Sequence, residues 1–157
     1  HAFMMMAQVS GRAGRKGKRG LVLLQTSSPD LPVINQVVRN DYRGFFADLS
    51  AERKAFRYPP YYHLVYVYLK HRNENVADTA GIEFANRLRQ IFSDRVLGPD
   101  KPPVAKVQSL FIRKIVLKVE NNVSMISMRK HLREAQIQLL ADSRYSSLLV
   151  YYDVDPL

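Results

Sequence analysis

The sequence predicts an α+β fold, on three observations. Strand-like and helix-like apolar patterns alternate in a fixed order over its second part, hydrophobic residues make up 46% of the chain, and 7 Phe and 9 Tyr supply bulk for a core. A wholly disordered basic tail is excluded by that content. Its 157 residues suit one domain, or a small domain with an attached piece.

The first part has a mixed pattern. Gly11, Gly14, Gly17 and Gly20 make the basic stretch after Ser10 a loop. LVLLQT, Leu21 to Thr26, reads as a short buried strand, and Met4, Met5 and Met6 read as helix core. Ser27, Ser28 and Pro29 turn the chain, Asp30 is placed to cap, and Leu31 to Arg39 forms a modest helix. A longer helix follows from Asp41 to Phe56, with Tyr42, Phe45, Phe46 and Leu49 at helical spacing. Pro59 and Pro60 stop it, because neither donates a backbone hydrogen bond and the preceding Tyr58 is pushed toward extended geometry.

From Tyr61 the elements are more regular. Tyr62 to His71 is β-branched and aromatic on both faces, as in a strand with neither face fully polar. Val76, Ala80, Phe84, Leu88 and Ile91 give a helix from Asn75 to Ser93. LGPDKPP reads as a loop, and Val104 to Phe111 and Ile112 to Glu120 read as two strands with a tight or bulged join. Met125, Met128, Leu132, Ala135 and Leu139 mark a second helix capped by Ser124, and Ser146 to Val154 is a closing strand. The order β-α-β-β-α-β matches the split βαβ, or ferredoxin-like, arrangement of two helices on one face of an antiparallel sheet.

The net charge of +10 is concentrated in two places. Residues 1–20 carry +5 with no acid, and residues 101–133 carry +7. A polyanion is the natural partner, because each phosphate that is neutralised releases condensed counterions. With no Cys there is no disulfide framework and no thiolate metal site, and the four His fall in no ligand-like spacing, so no metal site is expected. No stretch approaches the length of a membrane span. The start of the chain also lacks the order of a secretory signal.

One motif carries chemistry. Gln8, Gly11, Arg12, Gly14 and Arg15 spell QxxGRxGR, with two guanidinium groups three residues apart in a glycine-bounded turn, suited to phosphate oxygens. The string resembles the sixth motif of superfamily two helicases, whose arginines act as fingers on the γ-phosphate of ATP. The resemblance continues through Gly20–Thr26, Asp41-Tyr42, Phe45-Phe46, Glu52-Arg53, Tyr58-Pro59-Pro60, Leu97-Gly98-Pro99, Pro102-Pro103, Arg113–Lys118 and Asp153-Val154-Asp155-Pro156. Over these strings the sequence resembles the C-terminal region of the PriA family, the primosomal protein N′ of bacterial replication restart; Ser10 stands where that family usually has Ala.

The resemblance implies a division into the end of a RecA-like second motor lobe (1–30), a two-helix linker (31–60) and a ferredoxin-like, ribosomal-protein-like C-terminal domain (61–157). It implies a parent that couples ATP hydrolysis, with Mg, to 3′ to 5′ unwinding of branched DNA in the bacterial cytoplasm, at the nucleoid and away from membranes. Single-stranded DNA-binding protein and primosome proteins are the implied partners. Gln8, Arg12 and Arg15 take the ATP-binding positions, with Arg12 and Arg15 as the arginine fingers. No GxxxxGK[ST] phosphate loop is present, and the family's zinc-binding cysteines lie outside this chain. The expectation is a truncated piece that hydrolyses nothing alone, needs no cofactor and acts by binding branched or single-stranded DNA.

Lys16, Lys18, Arg19, Arg113, Lys114, Lys118, Arg129 and Arg133 are the expected DNA contacts. Strand alternation places Lys114, Val116 and Lys118 on one face and Ile115, Leu117 and Val119 on the other. Arg129 and Arg133, one helical turn apart, join the lysines only if that helix edge adjoins the same face. Tyr66, Tyr68, Phe111, Tyr151 and Tyr152 are available for stacking on bases, although strand aromatics more often pack a core. Two other classes compete with DNA binding: a protein-interaction module that docks on the helicase lobes, and an RNA-binding domain of the ribosomal type.

Overall fold

A computed structural model describes residues 2–13 and 20–156. Arg15, Lys16, Lys18 and Arg19 lie outside the described residues. The chain divides into two units, His1–Glu52 and Arg53–Leu157.

The first unit is helical. α1 spans Ala2–Ser10, α2 spans Pro32–Val38, and α3 begins at Tyr42 and runs to Ala55. Phe3 is buried and stacks on Phe45 with ring centroids 4.6 Å apart. Asp41 Oδ1 accepts the Gly44 N–H at 2.8 Å, so the side chain before α3 satisfies one of its free N-terminal donors.

Three expectations fail in this unit. LVLLQT is not a strand, and Leu21 and Leu23 are exposed. Its composition suits a sheet, but a strand needs a neighbour for its backbone ladder, and among the described residues no strand pairs with it. Asp30 does not cap α2. Leu31 occupies the cap position without a side-chain bond, and Pro32 starts the helix where a missing N–H costs nothing. Met4 and Met5 lie in α1 as helical residues, but both are exposed.

The second unit is α+β, with a five-stranded open antiparallel sheet. Its elements are β1 (Tyr62–His71), α4 (Glu74–Phe92), β2 (Val96–Asp100), β3 (Lys106–Val107), β4 (Leu110–Glu120), α5 (Met125–Leu140) and β5 (Leu149–Val154). The long strands lie in the order β2-β4-β1-β5, with β3 added to β4. β1 and β4 pair along their whole common length, from Tyr62 opposite Glu120 to His71 opposite Phe111. Asn73 caps α4 by accepting from the Asn75 N–H at 2.9 Å, and Ser124 accepts from Ser127 at the start of α5.

Alternation along the paired strands sets the core. Val65, Val67 and Leu69 of β1 and Ile115, Leu117 and Val119 of β4 face α4 and α5. There they meet Ala80, Phe84, Ala85 and Leu88 from α4 and Met128, Leu132, Ala135 and Leu139 from α5. Each Val, Leu, Ile, Phe or Met side chain among these, fully buried, contributes roughly 1.5–3 kcal/mol. The α4 stripe is rotated slightly from its expected position: Ala77, Gly81 and Ala85 are buried and Ile91 is exposed, because small residues let the helix approach the sheet closely.

The segment read as the loop LGPDKPP, residues 97–103, overlaps β2 through Asp100. Proline is tolerated there because β2 is an outer strand, where one edge needs no donors. Gly98, at φ 95°, carries the irregularity in the β2–β4 register, and a Cβ at that position would lie 2.8 Å from the Lys114 carbonyl oxygen. The expected strand from Val104 to Phe111 reduces to β3. The chain then turns through Gln108, itself at φ 53°, and β4 runs unbroken across the boundary placed at Phe111 and Ile112.

One charged group belongs to this core. Arg113 of β4 is 2% exposed and is held by α4: Nη2 donates to Glu74 Oε1 at 2.8 Å, Nε donates to Asp78, and Nη1 donates to the Ile112 carbonyl at 2.9 Å. Lys101 Nζ donates to the same Glu74 oxygen at 2.9 Å. These bonds hold both carboxyls below their usual range, Glu74 chiefly through Lys101 and then Arg113, Asp78 chiefly through Arg113. Folded pKa values that are depressed add stability above the unfolded value near 4, and that stability is lost as pH falls through the folded value. Urea denaturation of Arg113→Ala is therefore expected to show a loss of about 2 kcal/mol at neutral pH. That loss should shrink as pH drops below about 4. A loss that is independent of pH would remove the carboxylates from the account.

Candidate nucleic-acid interface

The sheet face opposite α4 and α5 takes the alternate set of side chains. Opposed residues in an antiparallel pair share a face, so the register puts Tyr66, Tyr68 and Lys70 of β1 with Lys114, Val116 and Lys118 of β4 and with Tyr151 and Asp153 of β5. Lys114 and Lys118 thus share a face, as alternation predicts, while Ile115, Leu117 and Val119 are buried behind them.

The lysines lie over aromatic rings. Lys114 Nζ sits 3.4 Å from the Tyr66 ring centroid, Lys118 Nζ 4.0 Å from that of Tyr58, and Lys70 Nζ 4.8 Å from that of Tyr151. Such contacts are worth about 0.5–1 kcal/mol each at exposed sites and hold the ammonium groups above the sheet. Lys118 also donates to the Phe56 carbonyl at 2.7 Å. Burial, and then the charge of Arg57, lower its pKa from the ordinary value. Burial raises the pKa of Tyr66. Lys118 is therefore the more constrained lysine, and Lys114 the freer.

The other expected contacts lie elsewhere. Arg113 alternates with Lys114, so the same register that turns Lys114 outward turns Arg113 into the core, where Glu74 and Asp78 occupy its donors. At 2% exposure it is out of reach of a phosphate. Arg129 and Arg133 belong to α5 on the opposite side of the sheet. They line a groove floored by Val65, Met128 and Leu132 and walled by Tyr152 and Val154, so the structure does not bring them to the lysine face. None of Lys114, Lys118, Arg129 and Arg133 is in an ion pair among the described residues.

The five candidate stacking residues also separate. Tyr66, Tyr68 and Tyr151 share the lysine face. Tyr152 is on the α5 side, where its hydroxyl donates to Gln136 Oε1 at 3.0 Å, and burial raises its pKa. Phe111 alternates with Ile112 toward the helix side and lies under Lys106 Nζ at 4.5 Å. Lys70 was missed by the sequence reading, although it is four residues after Tyr66 on one strand and alternation alone places both on one face.

In the first unit, Gln8 and Arg12 are exposed, Gln8 within α1 and Arg12 in the turn that follows it. The backbone N–H of Arg12 bonds to the Val9 carbonyl at 3.1 Å, which closes that turn and leaves the guanidinium outward. Among the described residues no group of three His, Cys, Asp or Glu side chains could hold a metal ion, and no helix is long and apolar enough to cross a membrane.

Comparison with known proteins places these features in a family. Residues 54–157 match the family model of the primosomal protein N C-terminal domain. The chain is 31% identical over 134 residues to the replication restart protein PriA of Bacillus subtilis, covering 84% of this chain and 17% of that protein. It is 30% identical over 151 residues to the PriA of Haemophilus influenzae, covering 95% of this chain and 20% of that protein. With the PriA of Thermotoga maritima, identity is 32% over 119 residues, covering 76% of this chain and 16% of that protein. The chain thus spans no more than about a fifth of these relatives. It belongs to the PriA family and corresponds to its C-terminal region.

Proposed function

We propose that this chain is the C-terminal part of a primosomal, ATP-dependent 3′ to 5′ DNA helicase of replication restart, and that its own task is to bind branched or single-stranded DNA. The observation that carries the binding is the placement of Lys114 and Lys118 on one sheet face without ion-pair partners among the described residues. Family membership supplies the replication context. Phosphate contacts of this kind fix position and shape and read no sequence.

The strand order β2-β4-β1-β5 supports reading residues 61–157 as a ferredoxin-like domain, with β3 as an addition to its edge. Residues 1–30 are assigned to the end of a motor lobe and residues 31–60 to a helical linker. In the parent, Gln8, Arg12 and Arg15 contact ATP, which is the substrate of the motor. Two guanidinium groups there would stabilise charge that develops on the transferred phosphoryl group. Single-stranded DNA-binding protein and other primosome proteins are the proposed partners, and Arg129 and Arg133 offer charge to an acidic one. A bacterial cytoplasmic location at the nucleoid goes with this reading.

Two outcomes test the proposal. Reversing both lysines, Lys114→Glu with Lys118→Glu, should weaken binding of forked DNA and reduce the slope of log affinity against log salt by about 2 in fluorescence anisotropy. Unchanged affinity, or affinity indifferent to salt, would sink the phosphate contacts. In a full-length PriA, alanine at the position of Arg15 should keep ATP binding and cut DNA-stimulated turnover by at least about a hundredfold. Normal turnover would remove the finger role.

A further inference from the structure

Tyr66 and Tyr68 stand two residues apart on β1, edge to face with ring centroids 6.3 Å apart, and Tyr151 lies opposite Tyr68 across the ladder to β5. All three are at least partly exposed, and Tyr151 is 48% exposed. The ammonium of Lys114 covers the ring of Tyr66, and that of Lys70 lies near the ring of Tyr151. Three aromatic rings and two cations thus form one surface on the two central strands and one neighbour.

Ligand chemistries can be sorted against that surface. An acidic peptide would engage the lysines and leave the rings unused. A duplex would also engage the lysines, but its bases are stacked on each other and present no free faces. A strand of unpaired bases on a phosphate chain satisfies rings and cations together. Two carboxylates on this face stand on the outer strands, Asp100 of β2 opposite Lys114 and Asp153 of β5 opposite Tyr66, and Glu120, at the end of β4, is held by Arg95 at 2.7 Å. β1 and β4 carry no other carboxylate, so the path for a polyanion runs along them and beside Tyr151 of β5.

We infer that this face binds single-stranded DNA by stacking unpaired bases on Tyr66, Tyr68 and Tyr151, while Lys70 and Lys114 leave the rings for the phosphates. The inference rests on the DNA-binding reading above and narrows its ligand to a strand with free bases. Because the chain has 9 Tyr and no Trp, its intrinsic emission reports tyrosine directly.

The test titrates the whole chain with an oligo-dT and with an abasic oligomer of equal length and charge. Oligo-dT should quench tyrosine emission and bind at least about tenfold more tightly than the abasic strand. Tyr66→Leu and Tyr151→Leu should each lose at least about fivefold for oligo-dT, with abasic affinity and far-UV circular dichroism unchanged. If Tyr66→Leu unfolds, Tyr151→Leu, on an outer strand, decides alone. Equal affinity for the two oligomers would overturn the stacking inference, and salt-dependent binding of both would leave the phosphate reading standing. Binding of neither would overturn both readings. Tighter binding of oligo-rU than of oligo-dT would overturn the assignment to DNA.

Discussion

The pairing of β1 with β4 is the constraint on which the second unit depends. These are the two central strands, joined in register from Tyr62 opposite Glu120 to His71 opposite Phe111. Because side chains alternate with a period of two, that one register decides which residues meet α4 and α5 and which face the other way. A slip of one residue would turn Ile115, Leu117 and Val119 out of the core and bring Lys114 and Lys118 into it. Core and candidate interface are therefore two results of a single alignment.

Arg113 reinforces that alignment from an unexpected side. A guanidinium on the core face of a central strand costs stability unless its donors are met, and Glu74 and Asp78 on the first turns of α4 meet them. The bond ties β4 to the start of α4, while Gly81 lets the same helix pack closely on Pro99 of β2. Two acidic residues of the sequence are thereby explained as partners of one buried base, and one residue of the basic cluster leaves the set available to a polyanion.

Much of the second unit was legible in the sequence because its signals are local and periodic. The β-branched and aromatic run from Tyr62 to His71 coincides with β1, and Asn75 to Ser93 differs from α4 by one residue at each end. The cap at Ser124 is where it was read. What was not legible depends on neighbours. LVLLQT looks like a strand but has no partner among the described residues, and LGPDKPP looks like a loop, but its first four residues are admitted to the sheet as part of an outer strand. Arg113 was grouped with its basic neighbours by charge, although alternation with Lys114 already separated the two. The groove beside Arg129 and Arg133 is on the other side of the sheet, a relation that no local pattern encodes.

Basic charge in the sequence thus resolves into different uses. Arg113 is spent inside the fold, Lys118 is partly engaged by the Phe56 carbonyl, Arg129 and Arg133 serve the α5 groove, and Lys70 and Lys114 remain on the tyrosine face. The claim that this face is the one that meets DNA is tested most directly by mapping amide and side-chain NMR shifts of the chain as single-stranded DNA is added. The account predicts the largest changes at Tyr66, Tyr68, Lys70, Lys114 and Tyr151, with α4 left nearly unmoved. Changes confined to α4 and α5, with the tyrosine face silent, would contradict it.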